Sequence, residues 1–195
     1  PDGKTAISAS FDKTLKIWDT ETGTKLRTLI GHTDWVFAVA IAPDGKTAIS
    51  ASFDKTLKIW DTDSGRELKT LIGHTHRVTA VAIAPDGKTA ISASGDETLK
   101  IWDIGTGREL KSLTGHTNCV NGVAVTPDGK TLISASYDNT LKVWDLLSGK
   151  EVASFSGDRW FNCCAIAPDG VTVVAGAARS GRVHFLRLEG VSGGG

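Results

Sequence analysis

Serine, histidine and aspartate are the side chains from which acyl-transfer triads are built, and this chain places all three at fixed spacing. His32, Ser50 and Asp54 form one set, His74, Ser92 and Asp96 a second, and His116, Ser134 and Asp138 a third. In each set serine follows histidine by 18 residues and aspartate follows serine by four; a tryptophan (Trp60, Trp102, Trp144) comes six residues later. A leading set keeps Ser8, Asp12 and Trp18, and the place of its histidine falls before Pro1. A hydrolase needs one exposed nucleophile in a cleft. The same trio repeated at identical spacing, always with a tryptophan, does not meet that need, and the chain reads as non-enzymatic. Metal chemistry fares no better: His74 and His76 are two apart around a loop, with no Cys or His partner at ligand spacing. No metal or other cofactor is expected. Three cysteines, Cys119 and the adjacent Cys163 and Cys164, make no disulfide framework. The pair reads as small buried hydrophobes on opposite sides of a strand.

The elements that carry these residues repeat too. Ile7 to Asp19 holds two runs of alternating apolar residues around the polar turn Phe11-Asp12-Lys13, the signature of a β-hairpin. It returns at Ile49–Asp61, Ile91–Asp103 and Ile133–Asp145, each copy 42 residues after the last, and in worn form at Val174–Leu186. Pro-Asp-Gly turns at Pro1, Pro43, Pro85, Pro127 and Pro168 precede each hairpin, and Gly23, Gly65, Gly107 and Gly149 break a looser turn after it. Further strands fall at Lys25–Ile30 and Trp35–Ala42. The repeat is therefore four strands with short loops, 18 strands in all, and no stretch has helical periodicity. Asn121-Gly122 carries a hairpin-turn signal, but the repeat register places it inside a strand.

A chain of 195 residues with 40% apolar content can bury one sizeable core. Its 22 basic and 22 acidic side chains balance, which argues against a nucleic-acid surface or a polybasic membrane patch. No apolar run approaches bilayer length and no signal peptide is visible. The start at Pro1 and the absence of methionine lead to the expectation of a fragment or processed piece. The cysteine usage leads to the expectation of a reducing, cytoplasmic setting.

Gly-His, then Pro-Asp-Gly, then Ser-x-Ser-x-Asp-x-Thr, then Trp-Asp, at a period near forty, resembles the WD-repeat β-propeller family. The resemblance covers residues 1–188 and implies an all-β, incomplete propeller of about four and a half blades (1–30, 31–72, 73–114, 115–156 and 157–188), followed by a disordered glycine-rich tail over 189–195. Strands of the Trp35–Ala42 type would lie innermost around a channel. It also implies a structural role for the four sets above. The indole N–H needs an acceptor, a serine hydroxyl both accepts and donates, and the imidazole bridges that hydroxyl to the carboxylate. A satisfied buried network of this kind fixes the outer strands on the inner one.

Residues 1–20 and 43–62 are identical, so the differences between repeats are informative. After Gly-His-Thr they are Asp34, Trp35 and Phe37, then His76, Arg77 and Thr79, then Asn118, Cys119 and Asn121, then Trp160 and Asn162 in a loop one residue shorter. Before the turn aspartate the series is Phe11, Phe53, Gly95, Tyr137 and Ala178. The resemblance puts both loops on the narrower face, at the channel mouth. Trp35, Phe37, Phe53, Arg77, Thr79, Cys119, Asn121, Tyr137, Trp160 and Asn162 are thus the candidate partner-binding residues, since large aromatics and arginine make binding hot spots. Packing of rings between blades is the structural alternative.

The last repeat departs from the pattern. Asp158-Arg159 stands where Gly-His-Thr should be, Ala175 replaces the serine, Arg179 the aspartate and Phe185 the tryptophan. Packing by Phe161, Ile166, Val173 and Phe185 must substitute for the network. The ending Gly181 to Leu188 resembles the final blade of bacterial STAND-type signalling NTPases that carry WD-repeats. The functional expectation is a protein- or peptide-binding scaffold or sensor, the C-terminal part of a larger bacterial signalling protein, with a carbohydrate- or small-ligand-binding propeller as the alternative. A first blade lacking its inner strand and a last blade lacking its outer one lead to the expectation that open edges promote self-association.

Overall fold

The structure is a computed structural model that describes residues 3–178 and 182–189. The expectations for Pro1, for Arg179 and Gly181, and for the tail from residue 190 onward lie outside these residues.

Among the described residues there are 18 strands and no helix. The first sheet comprises β1 (Thr5–Ala9), β2 (Thr14–Asp19) and β3 (Lys25–Ile30). The second holds β4 (Val36–Ile41), β5 (Thr47–Ser52), β6 (Thr56–Asp61) and β7 (Glu67–Ile72). The third holds β8 (Val78–Ile83), β9 (Thr89–Ser94), β10 (Leu99–Asp103) and β11 (Glu109–Leu113). The fourth holds β12 (Val120–Val125), β13 (Thr131–Ser136), β14 (Thr140–Asp145) and β15 (Glu151–Ser156). The last comprises β16 (Phe161–Ile166), β17 (Thr172–Ala177) and β18 (Val183–Arg187). Every sheet is an antiparallel meander in chain order. Consecutive sheets pack through their innermost strands, β4 on β8, β8 on β12 and β12 on β16. The result is an all-β, incomplete propeller.

Local chemistry explains the meander. At the Pro-Asp-Gly turns from Pro43 onward glycine takes a left-handed backbone (Gly45 φ 72, Gly87 φ 66) while the aspartate accepts an amide two residues on, as Asp44 does from Lys46 at 2.8 Å. The alternation of each strand then builds the core between sheets. Leu57 and Ile59 of one sheet meet Ala90 and Trp102 of the next, and Leu99 and Ile101 meet Leu132 and Trp144 in turn. A fully buried aliphatic side chain contributes about 1.5–3 kcal/mol, so stacking on a neighbour is what makes each sheet stable.

The last sheet corrects three expectations. Thr172 pairs with Arg187 and Val173 with Leu186, whereas Thr47 pairs with Asp61 and Ala48 with Trp60. Register therefore puts Leu186, not Phe185, in the tryptophan's place. One extra residue between Ala178 and Val183, by comparison with the turn from Phe53 to Leu57, accounts for the shift. Phe185 falls on the opposite side of β18 and is 74% exposed, so it does not help the packing. Cys163 is exposed as well, because no described sheet covers its side of β16. Cys164 alone fits the buried-hydrophobe reading: it packs with Ala135, Ile133 and Val173, and burial pushes its thiol pKa up to about 12.

Gly122 shows why Asn121-Gly122 makes a strand instead of a turn. A β-carbon there would lie 3.0 Å from the backbone of Cys163 and Cys164. The glycine is needed for close approach of β16 to β12, not for a special dihedral.

Candidate functional site

In the second sheet the Trp60 indole N–H donates to Ser50 Oγ at 2.8 Å, and Ser50 Oγ lies 2.7 Å from His32 Nε2. His32 Nδ1 is 2.7 Å from Asp54 Oδ2. An ionised carboxylate can only accept, so Nδ1 carries the proton and Nε2 of the neutral ring takes the serine hydroxyl. The relay runs indole to hydroxyl to imidazole to carboxylate, and it recurs with distances of 2.7–2.8 Å at Trp102, Ser92, His74 and Asp96 and at Trp144, Ser134, His116 and Asp138. In the first sheet Trp18 donates to Ser8 at 2.8 Å, and Asp12, without a histidine, pairs with Lys16.

Each trio has the connectivity of an acyl-transfer triad, yet Ser50, Ser92 and Ser134 are fully buried and their oxygens already hold an indole donor. A substrate cannot reach them. Burial would raise the Asp54 carboxyl pKa, but the hydrogen bonds from His32, Thr56 and the Thr33 amide outweigh it and hold the group well below the usual carboxylate range. Asp96 and Asp138 are depressed in the same way. Burial pushes the His116 pKa down, with Asp138 opposing, and the ring is kept neutral.

Above the relays two loops meet in every sheet after the first. The turn after the second strand lies against the loop leading into the first: Phe53 N–H donates to Trp35 O, Gly95 N–H to Arg77 O, Tyr137 N–H to Cys119 O and Ala178 N–H to Trp160 O, all within 2.8–2.9 Å. In these four sheets the first strand also bulges at one place, between Val36 and Ala38, Val78 and Ala80, Val120 and Gly122, and Phe161 and Cys163. The extra residue is Phe37, Thr79, Asn121 or Asn162. Bulges break the ladder and re-aim a side chain. The positions where the repeats differ most are thus the positions the backbone singles out.

Phe11, Trp35, Phe37 and Phe53 form one aromatic cluster. Trp35 stacks on Phe11 with centroids 4.9 Å apart, and Phe53 meets Trp35 and Phe37 at 5.8 and 6.1 Å. Phe11 is 61% and Trp35 45% exposed. The Arg77 guanidinium lies 5.9 Å from the Phe53 centroid, and His76 is 6.4 Å from the same ring. The His76 ring fills the space that a side chain at Gly95 would need, which explains the gap in the aromatic series there. Tyr137 and Trp160 make a second pair, 5.6 Å apart, farther round the arc.

Two of the expected mouth residues are placed otherwise. Cys119 is only 6% exposed; burial raises its thiol pKa, and Arg77 Nη2 points at its sulfur from 3.6 Å. Thr79 donates its hydroxyl to the carbonyls of Ala93 and Val120, bridging neighbouring sheets. Both positions carry small side chains that follow the chain inward. Phe11 was legible as an aromatic of the series and belongs to the cluster with the others. Leu26, Leu68, Leu110 and Val152 were not read as surface residues at all. They recur at one position of the outermost strands, each about half exposed, and their spacing of 42 residues was the available signal. Among the described residues no three His, Cys, Asp or Glu side chains gather as metal ligands, and no helix is long and apolar enough to cross a membrane.

The WD domain, G-beta repeat, matches the chain four times, over residues 1–19, 23–61, 65–103 and 107–145. The chain belongs to the WD-repeat family. Each full match runs from an outermost strand through the next sheet to its Trp-Asp, so the sequence repeat of this WD-repeat chain is offset by one strand from its structural blade. Residues after 145 lie outside the matches, in line with the altered last blade. Among curated relatives, the nuclear distribution protein PAC1 of Arthroderma otae is 56% identical over 41 residues, 21% of this chain and 9% of that protein. PAC1 of Arthroderma benhamiae is 58% identical over 41 residues, with the same shares, and that of Coprinopsis cinerea 53% over 36 residues, 18% of this chain and 8% of that protein. The matched stretches span less than a tenth of these relatives. WD repeats make a protein-interaction scaffold.

Proposed function

We propose that this WD-repeat chain is a non-catalytic recognition module whose partner, a protein or peptide, docks on the upper face through Trp35, Phe37, Phe53 and Arg77. The observation that carries this is the exposed aromatic cluster, set by bulges and loops on a framework whose buried relays repeat unchanged. Replacing Trp35, Phe37 and Arg77 by alanine should abolish partner capture with little change in melting temperature, while Arg66→Ala with Glu67→Ala on the opposite face should leave capture intact. Loss of capture from the lower pair alone overturns the reading.

Exposed stacked rings also suit sugars, and a glycan array run beside a proteome pull-down separates a carbohydrate or small-ligand site from a protein site. The module's place at the C-terminal end of a bacterial, cytoplasmic signalling protein rests on the likeness of the Gly181–Leu188 segment to STAND-type endings; an upstream nucleotide-binding motif in the parent sequence is its test. The balanced charge supports a partner that is neither nucleic acid nor membrane. Self-association is part of the proposal. Val183 and Phe185 stand exposed at the positions where Leu57 and Ile59 bury against the next sheet. Light scattering should find species above 20.5 kDa that grow with concentration; a constant monomer refutes this.

A further inference from the structure

The upper face is electrically lopsided, and its asymmetry follows the aromatic residues. At the tip of each second turn stands one residue with a left-handed backbone: Lys13 (φ 72), Lys55 (φ 71), Glu97 (φ 70) and Asn139 (φ 67). A positive φ is uncommon for a residue other than glycine, and all four side chains are exposed. The two lysines follow two of the cluster's three phenylalanines by two residues, Phe11 with Lys13 and Phe53 with Lys55; glutamate follows Gly95 and asparagine follows Tyr137.

Around the four rings the cations are Lys13, Lys16, Lys55 and Arg77, with His76 beside them. The carboxylates are Asp12, Asp34 and Asp54, and each is already engaged. Asp12 holds Lys16, Asp34 accepts the Trp35 amide at 2.9 Å, and Asp54 is tied to His32. Neither Lys13 nor Lys55 has an ion pair among the described residues. Four cations thus stand against three carboxylates, and Lys13, Lys55 and Arg77 have no ion pair among the described residues, so the rim of the exposed rings is net positive. The far side of the face sets Glu97 and Asp158 against Arg159 and Arg182, the last paired with Asp158, and carries no net charge.

We infer that the partner segment taken by the first two blades is an acidic peptide carrying a bulky aromatic side chain, whose ring enters the Phe11–Trp35–Phe37–Phe53 cluster while its carboxylates face Lys13, Lys55 and Arg77. The ring supplies the contact area of a hot spot, and charge complementarity sets orientation and rejects basic segments. This inference rests on the reading of the upper face as the partner surface.

The probe is a fluorescein-labelled nonapeptide of Asp and Glu with one central Phe, followed by fluorescence polarisation. It should bind saturably, weaken several-fold between 0.15 and 0.5 M salt as exposed pairs are screened, and lose about tenfold when Phe is replaced by Ala. Lys13→Glu with Lys55→Glu should weaken it by tenfold or more. Glu97 occupies the equivalent turn position with the same backbone, so the substitution suits the fold. A lysine-based peptide that binds as tightly, or charge reversal that changes affinity less than twofold, overturns the inference. Partner capture by the same charge-reversed protein separates the two readings. Capture lost with the alanine triple but kept with the reversed lysines leaves the upper face as the site and removes the acidic partner; capture kept by both removes the site itself.

Discussion

Beneath Gly73 in the third blade lies the six-membered ring of Trp102, brought there by the third strand of its sheet; beneath Gly157 in the last blade lies the tip of Phe161, brought there by the first. The space is filled by an aromatic ring in both, from opposite directions. In the complete blades the ring arrives with an N–H, and with it come the serine, the histidine and the aspartate that the N–H requires. In the last blade Ala175 replaces the serine, Phe161 is fully buried, and its neighbours are Phe155 and His184 at 6.2 and 5.3 Å. The slot between sheets thus requires a ring, while the relay adds a polar tie from the third strand through the second to the loop above. An apolar filling holds the sheet but makes no connection to the upper turn, and beside Leu186, standing in the indole's register, runs a groove of about 340 Å³ lined by Ile133, Val143 and Leu186.

The sharpest way to break this comparison is to remove the substitute ring. Phe161→Ala should cost about 3–5 kcal/mol, the usual loss for a fully buried phenylalanine. Hydrogen exchange should rise first in β16–β18, with β4–β11 holding their protection. Uniform loss along the chain would mean that the blades unfold as one unit and that the last has no stability of its own.

Acid sharpens it further. The depressed carboxyls Asp54, Asp96 and Asp138 contribute stability that is present above the unfolded value near 4 and lost as pH falls through their folded values. His116, also depressed, favours the folded state while neutral, so its contribution is lost as pH falls below about 6.5. Both act in one direction. Between pH 7 and 5 exchange in β12–β14, corrected for its intrinsic pH dependence, should rise, with a steeper loss below pH 4. Among the described residues the last blade has no such pair, and β17–β18 should change less. Equal acid sensitivity there contradicts the assignment.

How much of this was legible in the sequence depends on which chemistry was repeated. The relays could be placed residue by residue because a buried N–H admits few partners and four copies stood in one register. The last blade was misread at Phe185 because a single inserted residue moves a strand by one and turns every side chain over, and Val183–Arg187 alternates in either register. Cys119 and Thr79 are placed inward for another reason: loop variability marks a face, but a small side chain beside a bulge can turn inward and satisfy itself on backbone. The bulges were invisible, since the extra residue has no composition of its own.

The smallest expected effect lies in the turns. Lys55→Gly should stabilise the protein by roughly 0.5–1 kcal/mol, because a β-carbon at φ 71 is strained and glycine is not, less the entropy that glycine adds to the unfolded chain. Denaturant midpoints read this directly, and a destabilisation would show that the Lys55 side chain is anchored in place.

The claim on which the comparison stands is that indole, hydroxyl, imidazole and carboxylate act as one unit. The double-mutant cycle of Trp102→Phe and Ser92→Ala in chemical denaturation tests it. Trp102→Phe alone should cost about 1–3 kcal/mol, because the buried Ser92 hydroxyl loses its indole donor. With Ser92 already removed it should cost at least 0.5 kcal/mol less, a coupling that only interacting side chains produce. Additivity within about 0.3 kcal/mol would show that each ring merely fills space, in the complete blades as in the last.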